Sequence, residues 1–303
     1  MNNLLLIKAK SRLGMKFLPF GGDTVLNIGV ENGPDAVLDE HFLGNLKDKY
    51  NLKILDFSFS NPEDVLDEDY YSVFSKETKD LSEKILSELN FNNYKFVVTL
   101  GGDHSVALAS DIASLKFLEN KKVGFIDFDS HGDIHLSKTS PSGNVHGMWL
   151  RPLLSDFDEE NIIQVANVRI PTDNFLYIGN LILEDEEKRF INEKNIKIIS
   201  SNDINSNSSE IISYINDFCS RMDVLHVTFD IDVFKKDLVS ATGTPNVNGF
   251  SAEMVNICMQ PIMASKKLFS IDLVEVNPEK DKPEMTIKIA QDIILQFLVG
   301  VDK

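Results

Sequence analysis

The chain has 303 residues, of which 43% are hydrophobic, and a formal net charge of -17 at pH 7. This length allows one large domain or two small ones, and the hydrophobic fraction supplies a sizeable core, which argues against a disordered chain. The negative charge argues against nucleic acid or an anionic membrane surface as partner, because both need clustered Lys and Arg. A small cationic substrate would suit this field.

The cysteines and the N-terminus indicate the cellular compartment. Cys219 and Cys258 lie in predicted amphipathic helices and have no neighbouring Cys or His at a metal-binding spacing, so we expect buried, reduced thiols. The apolar run at residues 4–7 is too short for a signal-peptide core, and no other segment approaches a membrane-spanning length. We therefore expect a cytoplasmic protein without a membrane partner.

Short apolar runs bounded by turn residues predict eight strands. In chain order they are residues 4–7, 52–57, 96–100, 123–128, 175–178, 196–199, 224–229 and 268–273. Helices are predicted between most of them, the first opened by Pro34 and running to about Leu46. Residues 14–34 are otherwise expected to form a Gly- and Pro-punctuated loop, and the acidic segments 61–69 and 156–161 are expected to be surface loops.

The strand and helix segments alternate along the chain, without a Pro- or Ser-rich linker between them. This order predicts an α/β fold with three layers, in which helices cover both faces of a single, mostly parallel sheet of about eight strands. We expect residues 1–303 to form one domain.

The stretch from Val123 to Met148 carries the first functional signal. Its apolar strand ends in Asp129, His131 and Asp133, which project to one side of an extended backbone. Carboxylates held so close would raise one another's pKa, and a bound cation is the simplest reason for keeping them together. Taken alone, a single Asp-x-His of this kind is more simply a solvated loop after a strand.

Two further strands end in the same way. His104 follows the strand at residues 96–100, and Asp230 and Asp232 follow the strand at residues 224–229. Ligands of open α/β sheets bind beyond the carboxyl ends of the strands, so these residues predict one shared metal site. The candidate ligands are His104, Asp129, His131, Asp133, Asp230 and Asp232.

Four carboxylates and two imidazoles exceed the needs of one tetrahedral zinc and favour two manganese ions. A water shared by two such ions ionises near neutral pH, so metal-assisted hydrolysis is the predicted chemistry. These residues alone leave the substrate class open.

Several motifs together resemble the ureohydrolase family, most closely its arginase branch, from about Gly29 to Pro278. They are GGDHS at 101–105, DSHGD at 129–133, SGNVHG at 142–147, ATGTP at 241–245 and EVNP at 275–278, together with Asp230 and Asp232. The resemblance implies an arginase-like fold and hydrolysis of L-arginine to urea and ornithine by a metal-bridging hydroxide. It also implies a homo-oligomer, a trimer or a hexamer.

The resemblance assigns roles residue by residue. His104 and Asp133 would ligate one Mn²⁺, His131 and Asp232 the other, and Asp129 with Asp230 would bridge them. Asp133 would also pass a proton to the leaving amine. Glu275 would pair with the guanidinium of the substrate. His146 would be the proton shuttle, a role that suits imidazole because it ordinarily titrates near neutral pH.

The residues implied to bind the far end of the substrate depart from the arginase pattern. They are His135, Ser142, Asn144, Glu184 and Thr244. Arginases have Asn where this chain has His135, and the segment GNLILED at 179–185 lacks their Arg, which leaves Glu184 as the nearest counterpart of their ammonium-binding Asp. Losing one charge-assisted contact costs about 1.5 to 3 kcal/mol, so weaker selectivity for L-arginine is expected.

Two alternatives stay open. In the first, the substrate is another guanidino or formimino compound, such as 4-guanidinobutanoate, agmatine or formiminoglutamate. In the second, the chain is a catalytically silent homologue with a structural or regulatory role. Single residues also have simpler interpretations: Asp103 as a turn residue, Trp149 as packing, His226 as a core histidine, His146 as an ordinary loop histidine and Glu275 as a surface acid.

Overall fold

The computed structural model describes residues 1–16, 27–283 and 285–302, so residues 17–26 of the predicted loop at 14–34 lie outside the described part of the chain. It contains the eight predicted strands. They are β1 Asn2–Lys10, β2 Tyr50–Ser58, β3 Phe96–Gly101, β4 Val123–Phe128, β5 Phe175–Ile178, β6 Lys197–Ile199, β7 Val224–Asp230 and β8 Leu268–Val274.

These strands form one sheet in the order β2-β1-β3-β8-β7-β4-β5-β6, and every neighbouring pair is parallel. The central strands are buried on both faces, as their continuous apolar runs predict: all six residues of β3 and of β4 are buried. The four strands β3, β8, β7 and β4 lie side by side, although β3 and β4 are consecutive in the chain.

The helices cover both faces of the sheet. They are α1 Gly33–Val37, α2 Glu40–Lys47, α3 Tyr70–Phe91, α4 Ala107–Phe117, α5 Arg151–Leu154, α6 Glu160–Val165, α7 Asp185–Lys194, α8 Ser201–Ser220, α9 Ala252–Ala264 and α10 Met285–Asp302. Alternate residues of β1 enter two separate cores: Leu4 belongs to the core that includes residues of α2, α8, α9 and α10, and Leu5 to the core that includes residues of α3, α4 and α7. The predicted three-layer α/β fold is confirmed.

Two local predictions were wrong. The helix expected from Pro34 to Leu46 is broken into α1 and α2, because the Asp39 side chain accepts a hydrogen bond from the Phe42 amide at 2.7 Å and so begins a new helix. The acidic segment 156–161 is only partly a loop, since α6 begins at Glu160. Both errors concern helix ends, where acidic residues serve equally well as caps and as loop residues.

The remaining composition-based expectations can be compared directly with the structure. Cys219 and Cys258 are both buried and free, as predicted. No helix in the described ranges is long and apolar enough to cross a membrane.

Candidate metal centre

The six predicted ligands meet at the carboxyl edge of the four central strands. His104 follows β3, and Asp129, His131 and Asp133 follow β4. Asp230 is the last residue of β7, with Asp232 two residues beyond it. Because these strands are parallel neighbours, their carboxyl ends bring residues more than 100 positions apart into one cluster.

One half of the cluster is centred on His104. Its Nδ1 lies 3.0 Å from Oδ2 of Asp133, 3.1 Å from Oδ2 of Asp129 and 3.4 Å from Oδ2 of Asp230. All four side chains are at most 8% exposed. His104 therefore faces three carboxylates in a site from which water is largely excluded.

The other half is centred on His131. Its Nδ1 lies 3.1 Å from Oδ2 of Asp232 and 3.5 Å from Oδ1 of Asp129. Asp129 thus belongs to both halves, with Oδ2 toward His104 and Oδ1 toward His131. A carboxylate placed in this way joins two sites of three or more ligand atoms each.

The electrostatics of the cluster favour bound cations. Burial, together with the charges of Asp232 and Asp129, raises the pKa of Asp230 well above its usual range. Burial lowers the pKa of His104, but its contacts with the carboxylates outweigh this and raise it. In the described part of the chain, Nδ1 of His104 and Oδ2 of Asp129 have no hydrogen-bond partner. Burial of uncompensated charge is costly, and divalent cations would offset the negative charge of the cluster, so the donor set fits divalent metal ions.

Two residues outside the predicted set orient the ligands. Thr228 Oγ1 lies 3.0 Å from Nε2 of His104, which leaves Nδ1 directed at the carboxylates. Trp149 donates its indole N–H to Oδ2 of Asp133 at 3.0 Å, so this residue does more than pack. Neither has a local signal in the sequence, because Thr228 lies within a buried strand and Trp149 within an apolar segment.

Asp103 fixes the turn that carries His104. Its carboxylate accepts hydrogen bonds from Ser11 Oγ, the Gly14 amide and the Ser105 amide. Gly102 is required here, since a Cβ at this position would lie 1.8 Å from the Ser11 carbonyl oxygen. Asp103 is therefore more than a turn residue, because it holds the backbone next to the candidate ligand His104.

Glu275 lies beside the cluster, directly after β8, and is 5% exposed. Its Oε1 accepts the backbone N–H of His104 at 3.0 Å, and its Oε2 accepts the side-chain amide of Asn27 at 2.6 Å. Nδ1 of His146 is 3.6 Å from Oε1. Burial raises the pKa of Glu275, whereas the pKa of His146, which burial lowers, is raised overall by Glu275. The two side chains therefore form a pair.

A cavity of about 200 Å³ opens onto the cluster. This volume is below the roughly 300 to 1,000 Å³ of sites for drug-sized ligands, so it suits a small molecule. Among its lining residues are His104, His131, Asp133, Asp230, His146 and Glu275, together with the predicted substrate-binding residues His135, Glu184 and Thr244. Thr244 also donates its hydroxyl to Oδ2 of Asp232 at 2.9 Å.

Two predicted substrate-binding residues do not line this cavity. Asn144 is 2% exposed and accepts the Lys16 amide through Oδ1. Ser142 accepts the Asn144 amide. Both side chains therefore stabilise the loop that carries His146. Their contact with substrate stays a prediction.

Glu187 lines the cavity although its residue type and position did not distinguish it in the sequence. It is 3% exposed, and its Oε2 accepts the Glu184 amide at 3.0 Å and lies 3.5 Å from Nε2 of His135. Glu184 itself is exposed at the start of α7. Because acidic residues surround Glu187 in the sequence, no local pattern identifies it as the buried one.

The family model that matches this chain is that of the arginase family, over residues 14–300. Among curated proteins, an arginase of Staphylococcus aureus (strain MSSA476) is 31% identical over 279 residues, covering 89% of this chain and 91% of its own. An arginase of Bacillus subtilis (strain 168) is 29% identical over 282 residues, covering 89% and 92%.

A solved structure shows the same similarity in three dimensions. The Entamoeba histolytica arginase in complex with L-ornithine superimposes with a TM-score of 0.82 at 26% identity, covering 99% of this chain and 98% of that one. The likeness therefore extends over nearly the whole chain.

Proposed function

The chain belongs to the arginase family of metal-dependent hydrolases, which act on small guanidino substrates, and on that premise we propose that it hydrolyses L-arginine to urea and ornithine. The observation that carries this proposal is the pair of ligand sets joined by Asp129. We propose two Mn²⁺ ions as the cofactor, held by the six residues of the cluster. Asp129 and Asp230 would be shared between them.

The donor set fits this cofactor chemically. Hard carboxylate oxygens combined with two imidazoles suit Mn²⁺. When bound, the two ions would supply a hydroxide nucleophile at neutral pH and stabilise the charge that develops on the substrate. The four aspartates of the cluster would balance the four positive charges of two Mn²⁺ ions. Glu275 would add one negative charge beside them, so a guanidinium is electrostatically favoured in this cavity.

The protein's own residues would position the substrate and move protons. Glu275, oriented by the His104 and Asn27 N–H groups, would pair with the guanidinium. Asp133, held by Trp149, would deliver a proton to the leaving amine. The His146 side chain is 25% exposed and faces Glu275, so it connects the buried site with solvent and would act as the proton shuttle.

A second candidate substrate class is supported by one contact. The carboxylate of Glu187, which would accept an α-ammonium, already faces His135 and accepts the Glu184 amide. An imidazole can also donate a hydrogen bond to a substrate carboxylate. This arrangement favours ω-guanidino acids without an α-amine, such as 4-guanidinobutanoate, as competing substrates.

Urea release from a substrate panel tests the proposal. The Mn²⁺-loaded protein would be assayed with L-arginine, agmatine and 4-guanidinobutanoate, and with formiminoglutamate by amine release. We expect hydrolysis of L-arginine, and the ratio of kcat/KM values would rank the other substrates. A fully metal-loaded protein that hydrolyses none of them would support the silent homologue instead.

We also propose that residues 1–303 act as one domain and that the chain assembles as a trimer or a hexamer. The family resemblance supports this assembly, and closed symmetric oligomers are the common form of soluble enzymes.

A further inference from the structure

A second cluster of one imidazole and two carboxylates lies between α4 and the sheet. Asp111 is on α4, His226 on β7 and Asp272 on β8, and each is at most 1% exposed. Nε2 of His226 lies 2.8 Å from Oδ1 of Asp111 and 3.3 Å from Oδ2 of Asp272. None of the three residues belongs to the ligand set of the cavity.

The surroundings of His226 repeat those of His104. Nδ1 of His226 lies 2.6 Å from Oγ of Ser270, just as Nε2 of His104 lies 3.0 Å from Oγ1 of Thr228. In each ring the opposite nitrogen faces carboxylates and has no hydrogen-bond partner in the described part of the chain. In a neutral imidazole, a ring nitrogen that donates to a hydroxyl leaves the other nitrogen with a free lone pair, which is the arrangement of a metal-ligating histidine.

The carboxylates of this cluster are also short of partners. Oδ1 of Asp111 is within ion-pair distance of the His226 ring, but within the described residues neither oxygen of Asp111 accepts a hydrogen bond of normal geometry. Asp272 accepts one at Oδ2, from the Ser110 hydroxyl, and none at Oδ1. Buried carboxylates are normally hydrogen-bonded, because their desolvation is otherwise uncompensated. A cation among the three side chains would compensate it.

The distances suit a metal ion. All three ligand atoms lie within 4.8 Å of one another. For ligand-to-metal distances of about 2.1 Å, separations of 2.8 and 3.3 Å correspond to angles at the metal of roughly 85° and 105°. Imidazole together with carboxylates suits a divalent transition metal.

We propose that Asp111, His226 and Asp272 bind one divalent transition-metal cation, in addition to the ions of the cavity. The site is closed to substrate, since its side chains are fully buried. The ion would be structural: it would tie α4 to β7 and β8, the strands that carry Asp230 and lead to Glu275.

A proton is the competitor for this site. Burial lowers the pKa of His226, but the charges of Asp111 and Asp272 outweigh that effect and raise it to about 10. A cation must therefore displace a proton from His226, so its occupancy rises with pH. The binding experiment is best made at about pH 8.5, on the alkaline side of neutrality where this competition is weaker.

Metal analysis of the full chain tests the site. The protein would be saturated with Mn²⁺ alone, or with Zn²⁺ alone, desalted and analysed. We expect the wild type to retain one more ion per chain than Asp111→Asn and Asp272→Asn. Asp281→Asn is the matched control, because Asp281 is a buried carboxylate that caps α10 through the Thr286 and Ile287 amides, and it should retain the wild-type count. This difference of one ion is independent of how many ions the cavity holds.

A second variant covers the case in which Asp111→Asn fails to fold. The triple variant Asp129→Asn, Asp230→Asn, Asp232→Asn removes carboxylates from both halves of the cavity cluster and leaves the second cluster intact. We expect it to retain one ion and to show a higher Tm with metal than without. Equal ion counts in the wild type and Asp111→Asn, or no ion in the triple variant, would overturn the proposal.

Discussion

Nε2 of His135 lies 3.5 Å from Oε2 of Glu187 in the lining of the cavity, so an imidazole faces a buried carboxylate there. This contact links the residue that departs from the arginase pattern with one that the sequence patterns did not identify. It also bears on whether Glu187 would be available to bind the α-ammonium of a substrate.

His135→Asn should release Glu187 to accept an α-ammonium. Because one charge-assisted contact contributes about 1.5 to 3 kcal/mol, kcat/KM for L-arginine relative to 4-guanidinobutanoate should rise by roughly 10- to 100-fold. Glu187→Gln should not raise this ratio. Glu186→Gln is the control, since Glu186 pairs with Arg151 and does not line the cavity. If the wild type already prefers L-arginine over 4-guanidinobutanoate by about a thousandfold in kcat/KM, or about 4 kcal/mol, then an acid of the wild-type protein already binds the α-ammonium.

Asp129→Asn and Asp230→Asn should each abolish urea release and lower the Tm measured in Mn²⁺. The reason is that each removes a carboxylate that both ions would share. Chelation of the wild type should have the same effects, and added Mn²⁺ should reverse them. The number of cavity ions is best counted in Asp111→Asn, which lacks the second proposed metal site. Two Mn²⁺ ions per chain are expected in this variant, and one ion or none after Mn²⁺ loading would contradict the binuclear centre.

His146→Ala should slow turnover by about 100-fold or less, because a shuttle provides acid-base assistance and not the nucleophile. The variant should keep its full metal content, and free imidazole should restore part of the rate. Loss of Mn²⁺ from this variant would instead identify His146 as a ligand.

The purified chain should elute and scatter light as a trimer or a hexamer. One chain has a mass of 34.1 kDa, so the three possible outcomes are well separated. A monomer at working enzyme concentration would refute the assembly that the family resemblance implies.

Cys219 and Cys258 should resist thiol reagents in the native protein at pH 8. Burial raises the pKa of Cys219 to about 11 and that of Cys258 to about 12, so almost no reactive thiolate is present at pH 8. Two thiols should be labelled only after unfolding in denaturant. Ser209→Cys, at an exposed position of α8, is the positive control and should add one thiol that reacts at once; rapid labelling of the wild type would contradict the burial.

The strands and the six residues that cluster beyond their ends could be predicted from the sequence, because apolar runs that end in polar residues are local patterns. The order of the strands was not predictable in this way. That β8 and β7 lie between β3 and β4 depends on pairings between residues more than 100 positions apart. The cluster of candidate ligands was predictable because three strand ends showed the same pattern, independently of that order.

The supporting residues escaped prediction for a different reason. Thr228 and Trp149 act through one polar atom on a side chain that otherwise packs in the core. Asn27 reaches Glu275 from 248 positions away, and Glu187 is one of several acids at the start of α7. Only the tertiary fold separates these residues from equivalent ones elsewhere in the chain.

The position of β7 and β8 between β3 and β4 has a consequence for synthesis on the ribosome. Neighbouring strands lie about 4.8 Å apart, so β3 and β4 are about 14 Å apart in the folded sheet, and the two strands between them come from the last third of the chain. The sheet therefore cannot assemble in the order of translation. His104 and Asp129 are synthesised early, but the two strands that set their spacing lie within residues 224–274, so the candidate metal centre is complete only after most of the chain has been made.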